Sequence, residues 1–373
     1  MIRLCYLASM MDNLGGAERV NFQVLTRLHA AGFSSHAIFL KKAGEIGEKL
    51  VAHGVDIFSL GGKGRGQFLT LLRQTLQTLT QRSIDVLFTG EDRLAMAIAS
   101  IARRKGVVRR YVVAFHNTRL PYGIGKLVHP IAVRIADACV VLSERNKRFW
   151  QQHYRLPEGK LWVIPNGIPL SQTQPLPANE RASLRILRGL APERFTVGLV
   201  TFFKDFKNLP GFVRVARRVV DSGVDAQFVL AGDGPEREHV EETIQELGLQ
   251  DRFLLPGKVS ASFEWYQLCD VALMTSSSSE AFPLTLIEAM ACGLPVVATD
   301  IAGIPDIVVH GATGFLASPT DLETLARYVV LLAKDSELRQ RLGEAGRQRA
   351  LMEFNADVMI SRYAQMFRTV VSQ

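Results

Sequence analysis

Two carboxylates with seven residues between them, Glu280 and Glu288, lie in the stretch SSSSEAFPLTLIEAMACGLPVVATD, residues 276–300. Paired acids suit two kinds of chemistry. One is general acid and base work across a glycosidic bond; the other is the acceptance of hydrogen bonds from sugar or ribose hydroxyls. The local pattern separates the two acids. DVALMTS reads as a buried strand, the serines and Glu280 as the loop at its carboxyl end, and Pro283 as part of the first helical turn. Glu288 then falls about a turn and a half into a helix that ends near Cys292, with Gly293 and Pro295 as stop signals. One loop acid and one helical acid need not flank a single bond and can hold different parts of one extended ligand. On spacing alone a plainer reading stays open, with Glu280 as a helix cap and Glu288 as a solvated helix residue.

Such a loop and helix need a scaffold, and the chain supplies one twice. Strand-like runs alternate with helical patterns through IRLCYLAS, HAIFL, VDIFSL, IDVLFTG, RRYVVAFH, ACVVLS and KLWVIPNG, and again through FTVGLV, AQFVLAG, RFLLPG, DVALMTS, PVVATD and TGFLAS. This is the signature of doubly wound parallel sheets. The expected fold class is α/β, with two Rossmann-like parallel-sheet domains facing across a cleft. Residues 1–170 form the first domain, the polar SQTQPLPANE of 171–180 a linker, and 181–353 the second domain. A C-terminal helix over 354–373, with Val358, Tyr363, Met366 and Val370 at helical spacing, could pack on either domain. In open α/β sheets ligands bind at the carboxyl ends of strands, where helix N-termini favour phosphate.

Composition bounds the reading further. A chain of 373 residues with 47% hydrophobic and 21% charged residues has enough apolar content for two full cores and does not resemble a disordered protein. Cys5, Cys139, Cys269 and Cys292 lie far apart without C-x-x-C spacing, so they read as reduced core thiols of a cytosolic protein. MIRLCYLASMM reads as a first strand, since no small-residue cleavage site follows it. No apolar run reaches the roughly 18–20 residues that span a bilayer. Charge is uneven: residues 1–170 hold 24 Lys and Arg against 11 Asp and Glu, a balance of +13, while the remainder holds 20 against 25. A basic first half suggests an anionic partner such as a membrane surface, and the clusters Arg103-Arg104-Lys105, Arg109-Arg110 and Arg145 with Lys147-Arg148 would face it. Nucleic acid is not expected, because no basic motif is interleaved with aromatics.

Glu280-Ala-Phe-Pro-Leu-Thr-Leu-Ile-Glu288 resembles the E-x7-E motif of the retaining GT-B glycosyltransferases of family 4, the glycosyl transferases group 1. The resemblance continues through GGAERV (15–20), FHN (115–117), VIPNGI (163–168), Lys207-Asn208, LAGDGPER (230–237), LPG (255–257) and GIPDIVVHGATGFL (303–316). Each piece is weak alone; their order and spacing are specific. The resemblance implies a GT-B fold and transfer of a sugar from a nucleotide diphosphate sugar, a UDP-sugar first among the candidates, to a hydroxyl of a glycan or lipid-linked acceptor. It further implies no cofactor and no metal, and a role in bacterial envelope polysaccharide or lipopolysaccharide synthesis at the cytoplasmic side, with peripheral contact to an anionic membrane.

It also assigns residues. Glu280 would hold donor-sugar hydroxyls, Glu288 the nucleotide ribose, and the amides of Phe282, Pro283, Leu284 and Thr285, at the helix start, would face diphosphate and sugar. Lys207 would stabilise the departing diphosphate, His116 would touch the donor sugar near the reacting carbon, and Gly15 and Gly16 would allow close backbone approach to phosphate, although a plain tight turn explains those glycines equally well. One departure stands out. Family members commonly carry an Arg four residues after the strand glycine Gly198, where VGLVTFFKDFKN has Phe202, leaving Lys204 as the candidate substitute charge. Pro169, after the Asn-Gly of VIPNGI, is a smaller one.

Two glycine-rich stretches fail as nucleotide fingerprints. AGDGPER places Arg237 where a dinucleotide motif needs its third glycine, and GGKGRGQ (61–67) lacks the order of a phosphate-binding loop. Two rivals keep their place beside the transferase: a UDP-sugar epimerase-like enzyme, which would act on the donor alone, and a non-catalytic sugar-nucleotide binding protein.

Overall fold

A computed structural model describes residues 1–11, 15–62, 66–116, 120–170 and 173–373. The chain divides into two compact units, residues 1–167 with 356–373, and residues 168–355. The first unit is built on strands β1 (Arg3–Ala8), β2 (Ser34–Phe39), β3 (Asp56–Ser59), β4 (Val86–Thr89), β5 (Arg110–Ala114), β6 (Ala138–Val141) and β7 (Leu161–Val163). They lie in the order β3-β2-β1-β4-β5-β6-β7, every pair parallel. The second unit carries β8 (Phe195–Val200), β9 (Ala226–Ala231), β10 (Phe253–Gly257), β11 (Val271–Met274), β12 (Val296–Thr299) and β13 (Gly314–Ala317), in the order β10-β9-β8-β11-β12-β13 and again all parallel. Among the described residues the thirteen strands coincide with the thirteen runs read from the sequence.

Both sheets reverse direction at one place. In the first the chain winds outward from β1 and returns to β4; in the second it winds outward from β8 and returns to β11. These are the switch points at which a doubly wound sheet opens a crevice beyond its strand ends. Central strands are buried because helices cover both faces: β4 and β11, each on the returning side of a switch point, are wholly buried, as are β6 and β12.

Charged clamps fix the strand starts. In the first unit Asp137 accepts from Arg103 Nε at 2.7 Å and from the Tyr111 amide at 2.8 Å. In the second, Asp270 accepts from Arg181 and Arg185, each at 2.7 Å, and from the Thr196 amide at 2.7 Å, holding its carboxyl below the usual range despite burial. Arg181 and Arg185 lie on the helix Ala178–Leu187, so part of the expected linker is already helical; Ser171 and Gln172 lie outside the described residues.

The last helix, Ala356–Ser372, belongs to the first unit. Its Phe367 packs edge-on to Phe88 of β4 at 5.7 Å, and the Val370 carbonyl accepts from Arg110 Nε at 2.6 Å. Tyr363, Met366 and Val370 are buried as the spacing suggested. Val358 is only partly buried, because Met359 is turned inward at that register, where its sulfur accepts from the Gly167 amide at 3.2 Å. The four cysteines are buried and unpaired, and among the described residues no helix is long and apolar enough to cross a membrane.

Candidate functional site

The second sheet's switch point gathers the sequence-derived residues of the second unit; Gly15, Gly16 and His116 belong to the first. The loop after β8 runs through Thr201–Asn208, and the loop after β11 through Thr275–Pro283. They are laced together: Ser277 donates its amide to the Phe206 carbonyl at 2.8 Å, and Thr275 Oγ1 donates to the Asn208 carbonyl at 2.9 Å. Asn208 has φ 47°, a left-handed conformation that Asn tolerates better than most residues, and its side chain accepts from the Gly211 amide to start the next helix. Lys207 and Glu280 thereby meet. Lys207 Nζ donates to Glu280 Oε1 at 2.6 Å, and Ser276 Oγ donates to the same oxygen at 2.7 Å. Both side chains are largely buried, with 12% and 6% exposed. Glu280 therefore does not cap the helix. Its second oxygen accepts no hydrogen bond from any described residue and is available to a ligand hydroxyl.

The backbone here is held in uncommon conformations. Five non-glycine residues among those described have positive φ: Ser83 and Arg155 end helices, whereas Asn208, which also starts one, Ser279 (64°) and Ala302 (44°) lie in the loops after β8, β11 and β12. Such strain persists where surrounding structure enforces it and concentrates at functional sites. Gly303 is part of that enforcement: its amide donates to the Glu280 carbonyl at 2.7 Å, and a Cβ there would sit 1.6 Å from the Ala281 oxygen. The glycines of AGDGPER have an equally local task. A Cβ at Gly232, φ 137°, would lie 1.7 Å from the Thr201 oxygen, so glycine lets the loop after β9 brace the loop that carries Phe202 and Lys204.

The helix after Glu280 spans Leu284–Ala291, with Pro283 as its N-cap rather than in its first turn, and no side chain caps its first amides. Thr285 Oγ1 donates to the Val200 carbonyl at 2.5 Å and bonds to the Tyr266 hydroxyl, which in turn accepts from the Val200 amide at 3.1 Å. That knot pins the helix N-terminus beside the end of β8 and commits the Thr285 hydroxyl internally. Glu288 is buried, not solvated, and its Oε2 accepts from Ser262 Oγ at 2.6 Å. Its charge adds to burial in pushing the Cys292 thiol up to about 12. Phe202 is exposed, and Lys204 Nζ stands 5.3 Å from its ring centroid in a cation–π contact.

In the first unit Gly15 and Gly16 begin the helix Gly16–Ala30 that follows β1. Gly15 has φ −67°, so the turn itself does not require glycine; a Cβ there would meet Glu18 Oε2 at 2.5 Å, where the Glu18 side chain folds back over the helix start. His116 follows β5, and its amide donates to Glu91 Oε2 at 2.9 Å in the loop after the adjacent β4. Neither ring nitrogen bonds to a described residue, and burial pulls the imidazole down to about 4. Asn117 lies outside the described residues. The neighbouring His129 bonds Tyr154 at 3.2 Å and is likewise lowered to about 4 by burial, with Arg93 adding to it.

Ser276, Ser262, Tyr266 and Gly303 were not singled out by sequence. Ser276, within the serine run, and Gly303, at the start of GIPDIVVHGATGFL, carried a signal; Ser262 and Tyr266 did not.

Two family sequence models match this chain in succession. Glycosyltransferase Family 4 matches residues 14–172, and Glycosyl transferases group 1 matches residues 188–349. The chain belongs to the GT-B glycosyltransferases of family 4. This glycosyltransferase is 33% identical over 172 residues to an N-acetyl-alpha-D-glucosaminyl L-malate synthase of Bacillus anthracis, covering 46% of this chain and 45% of that one. It is 29% identical over 307 residues to the exopolysaccharide phosphotransferase SCO2592 of Streptomyces coelicolor, covering 81% of this chain and 30% of that one. It thus spans less than half the length of either curated relative. Among solved structures, Anabaena Alr3699/HepE in complex with UDP superposes with a TM-score of 0.86 at 22% identity, over 99% of this chain and all of that one.

Proposed function

We propose that this glycosyltransferase moves a sugar, with retention of anomeric configuration and without a metal ion, from a UDP-sugar to a hydroxyl of a glycan or lipid-linked acceptor in bacterial envelope polysaccharide synthesis on the cytoplasmic side. The observation that carries the reading is the Lys207–Glu280 contact of 2.6 Å at the switch point, beside an N-terminus with no side-chain cap. It joins in one place a cation for phosphate and a carboxylate oxygen for hydroxyls. Alr3699/HepE, of the same fold, binds UDP.

In this reading Glu280 holds sugar hydroxyls through its open oxygen, Glu288 holds the ribose, and the diphosphate lies over the amides of Phe282–Thr285. The acceptor oxygen bonds to the anomeric carbon as the bond to the phosphate oxygen breaks. The leaving phosphate takes the acceptor's proton, and Lys207 stabilises the charge it gains. Lys207 is already desolvated and held by Glu280, so little reorganisation is needed when that charge develops. Lys204, stacked on Phe202, supplies the second cation, and His116, neutral at physiological pH, contacts the sugar as a hydrogen-bonding group. Gly15 and Gly16 admit phosphate close to the backbone.

A thermal-shift panel of UDP-, GDP- and ADP-sugars, followed by donor turnover in EDTA with and without glycan acceptors, tests the proposal. Stabilisation by UDP-sugars and acceptor-dependent release of UDP are expected. Conversion of the donor sugar without acceptor would point to an epimerase, and binding without any turnover to a non-catalytic binder.

A further inference from the structure

At the end of the second sheet remote from the donor loops lies a cavity of about 410 Å³, a volume within the range of small-molecule sites. Arg181, Ala182, Arg185, Phe195, Asp270 and Arg339 are in its wall. Arg181, Ala182 and Arg185 share one face of the helix Ala178–Leu187. Phe195 is the first residue of β8, and Asp270 immediately precedes β11. Lys207 and Glu280 lie beyond the other ends of the same two strands. With six and four residues at about 3.3 Å each, β8 and β11 separate the two places by roughly 13–20 Å. One phosphate group cannot serve both.

The three guanidinium groups are unequally committed. Arg185 uses every nitrogen internally: Nε donates to the Leu268 carbonyl at 2.9 Å, Nη1 to the Pro192 carbonyl at 2.7 Å and Nη2 to Asp270 at 2.7 Å. Arg181 gives Nη2 to Asp270, but its Nε is buried and donates to no described residue. Arg339 pairs with no carboxylate among the described residues. Its Nη1 donates to the Leu332 carbonyl at 2.6 Å near the end of the helix Leu322–Lys334, its Cζ stands 5.5 Å from the Phe195 ring centroid, and its Nε and Nη2 donate to no described residue. Asp270 cannot neutralise it, because Oδ1 is taken by Arg181 and Oδ2 by Arg185 and the Thr196 amide. The other acid in the wall, Glu193, is exposed and pairs with no described cation.

A strand-start clamp accounts for Arg185 and leaves Arg181 and Arg339 with donors to spare. Two partly buried guanidinium groups with open N–H bonds, facing one cavity, form a fork suited to phosphate oxygens. An adjoining cavity of about 370 Å³ shares Arg181, Asp270 and Arg339 and adds Gln340 and Arg347, whose Nη1 donates to the carbonyls of Thr173, at 2.7 Å, and Ala291. It sets polar groups for hydroxyls beside the fork. We propose that this groove of the second unit is a separate ligand site for a phosphate monoester of a small polyol or sugar, with the phosphate between Arg181 and Arg339 and the hydroxyls toward Gln340 and Arg347. The proposal does not depend on the donor-site reading, and its test does not use transfer activity.

The experiment is calorimetry of glycerol 3-phosphate on the full chain, with inorganic phosphate and glycerol as comparisons. Wild type should bind glycerol 3-phosphate, inorganic phosphate more weakly and glycerol not at all, and binding should weaken as salt rises. R339Q keeps an amide donor for the Leu332 carbonyl and should weaken glycerol 3-phosphate by about tenfold or more, the loss of one charged hydrogen bond. A182E sets a carboxylate in the same wall while leaving every arginine in place, and should abolish binding. Far-UV circular dichroism checks that both variants are folded. K207A should bind glycerol 3-phosphate as wild type does, which separates this site from the donor site. No binding to wild type, equal affinity in A182E and wild type, or loss of binding in K207A would overturn the proposal. Inorganic phosphate bound as tightly as glycerol 3-phosphate would overturn the monoester assignment in favour of free phosphate.

Discussion

At the residue scale, Lys207 and Glu280 form a buried pair, and removal of one partner from such a pair leaves an uncompensated charge that costs about 3–5 kcal/mol. Glu280→Ala would therefore mix a stability effect with a catalytic one. Glu280→Gln keeps the volume and is expected to lower kcat by about 10- to 150-fold, the loss of one charged hydrogen bond in the transition state, while changing affinity for free UDP little; steady-state kinetics beside calorimetry separate the two. Glu288→Ala should do the reverse and weaken free UDP, and equal affinity would remove the ribose assignment. Lys204→Ala should slow turnover as Lys207→Ala does if the lysine stacked on Phe202 replaces the family's arginine; normal turnover in Lys204→Ala would leave Lys207 to act alone. The two histidines give a pH prediction. Burial lowers both from 6.5 to about 4, so the unfolded chain takes up their protons first, and stability is full above about pH 6.5 and falls as pH drops toward about 4. Thermal melts between pH 7.5 and 4.5 should show that slope, shallower in His116→Asn. The two acids were legible in the sequence because their spacing and neighbours are local. Ser276 and Ser262 were not, because which serine meets which carboxylate is settled by loop packing across more than one strand.

At the element scale, the helix Leu284–Ala291 is positioned by the Thr285 hydroxyl between Val200 and Tyr266. Thr285→Val leaves those groups without their partner and is expected to cost about 1–3 kcal/mol, together with a loss of nucleotide affinity as the helix start loosens; a melting curve and a UDP titration check both. Gly303→Ala should be worse, since its Cβ would collide with the carbonyl following Glu280. The strands were legible because parallel strands covered on both faces read as short, nearly continuous apolar runs. Helix ends were less so: Pro283 serves equally well as N-cap or first-turn residue by composition, and only the chain's approach from the strained loop at Ser279 decides between them. For the last helix the apolar spacing gave the face to within one residue, with Val358 displaced by Met359.

At the scale of the whole molecule, each unit is a complete doubly wound sheet with its own switch point, and the chain returns to complete the first unit with its last helix. Phe367, packed against Phe88, is fully buried, so Phe367→Ala should destabilise by about 3–5 kcal/mol. The loss should appear in the first unit, as faster hydrogen exchange in β4 and the helix Gly16–Ala30, while β8 and β11 keep their protection. That return was only half legible, because an amphipathic helix declares its buried face and not its partner. Isothermal calorimetry of UDP with wild type, Lys207→Ala and Glu280→Gln tests the donor-site assignment most directly. Binding to wild type, affinity at least tenfold weaker in Lys207→Ala and nearly unchanged in Glu280→Gln is the predicted result; UDP affinity that is the same in folded Lys207→Ala as in wild type, or absent from wild type altogether, would contradict it.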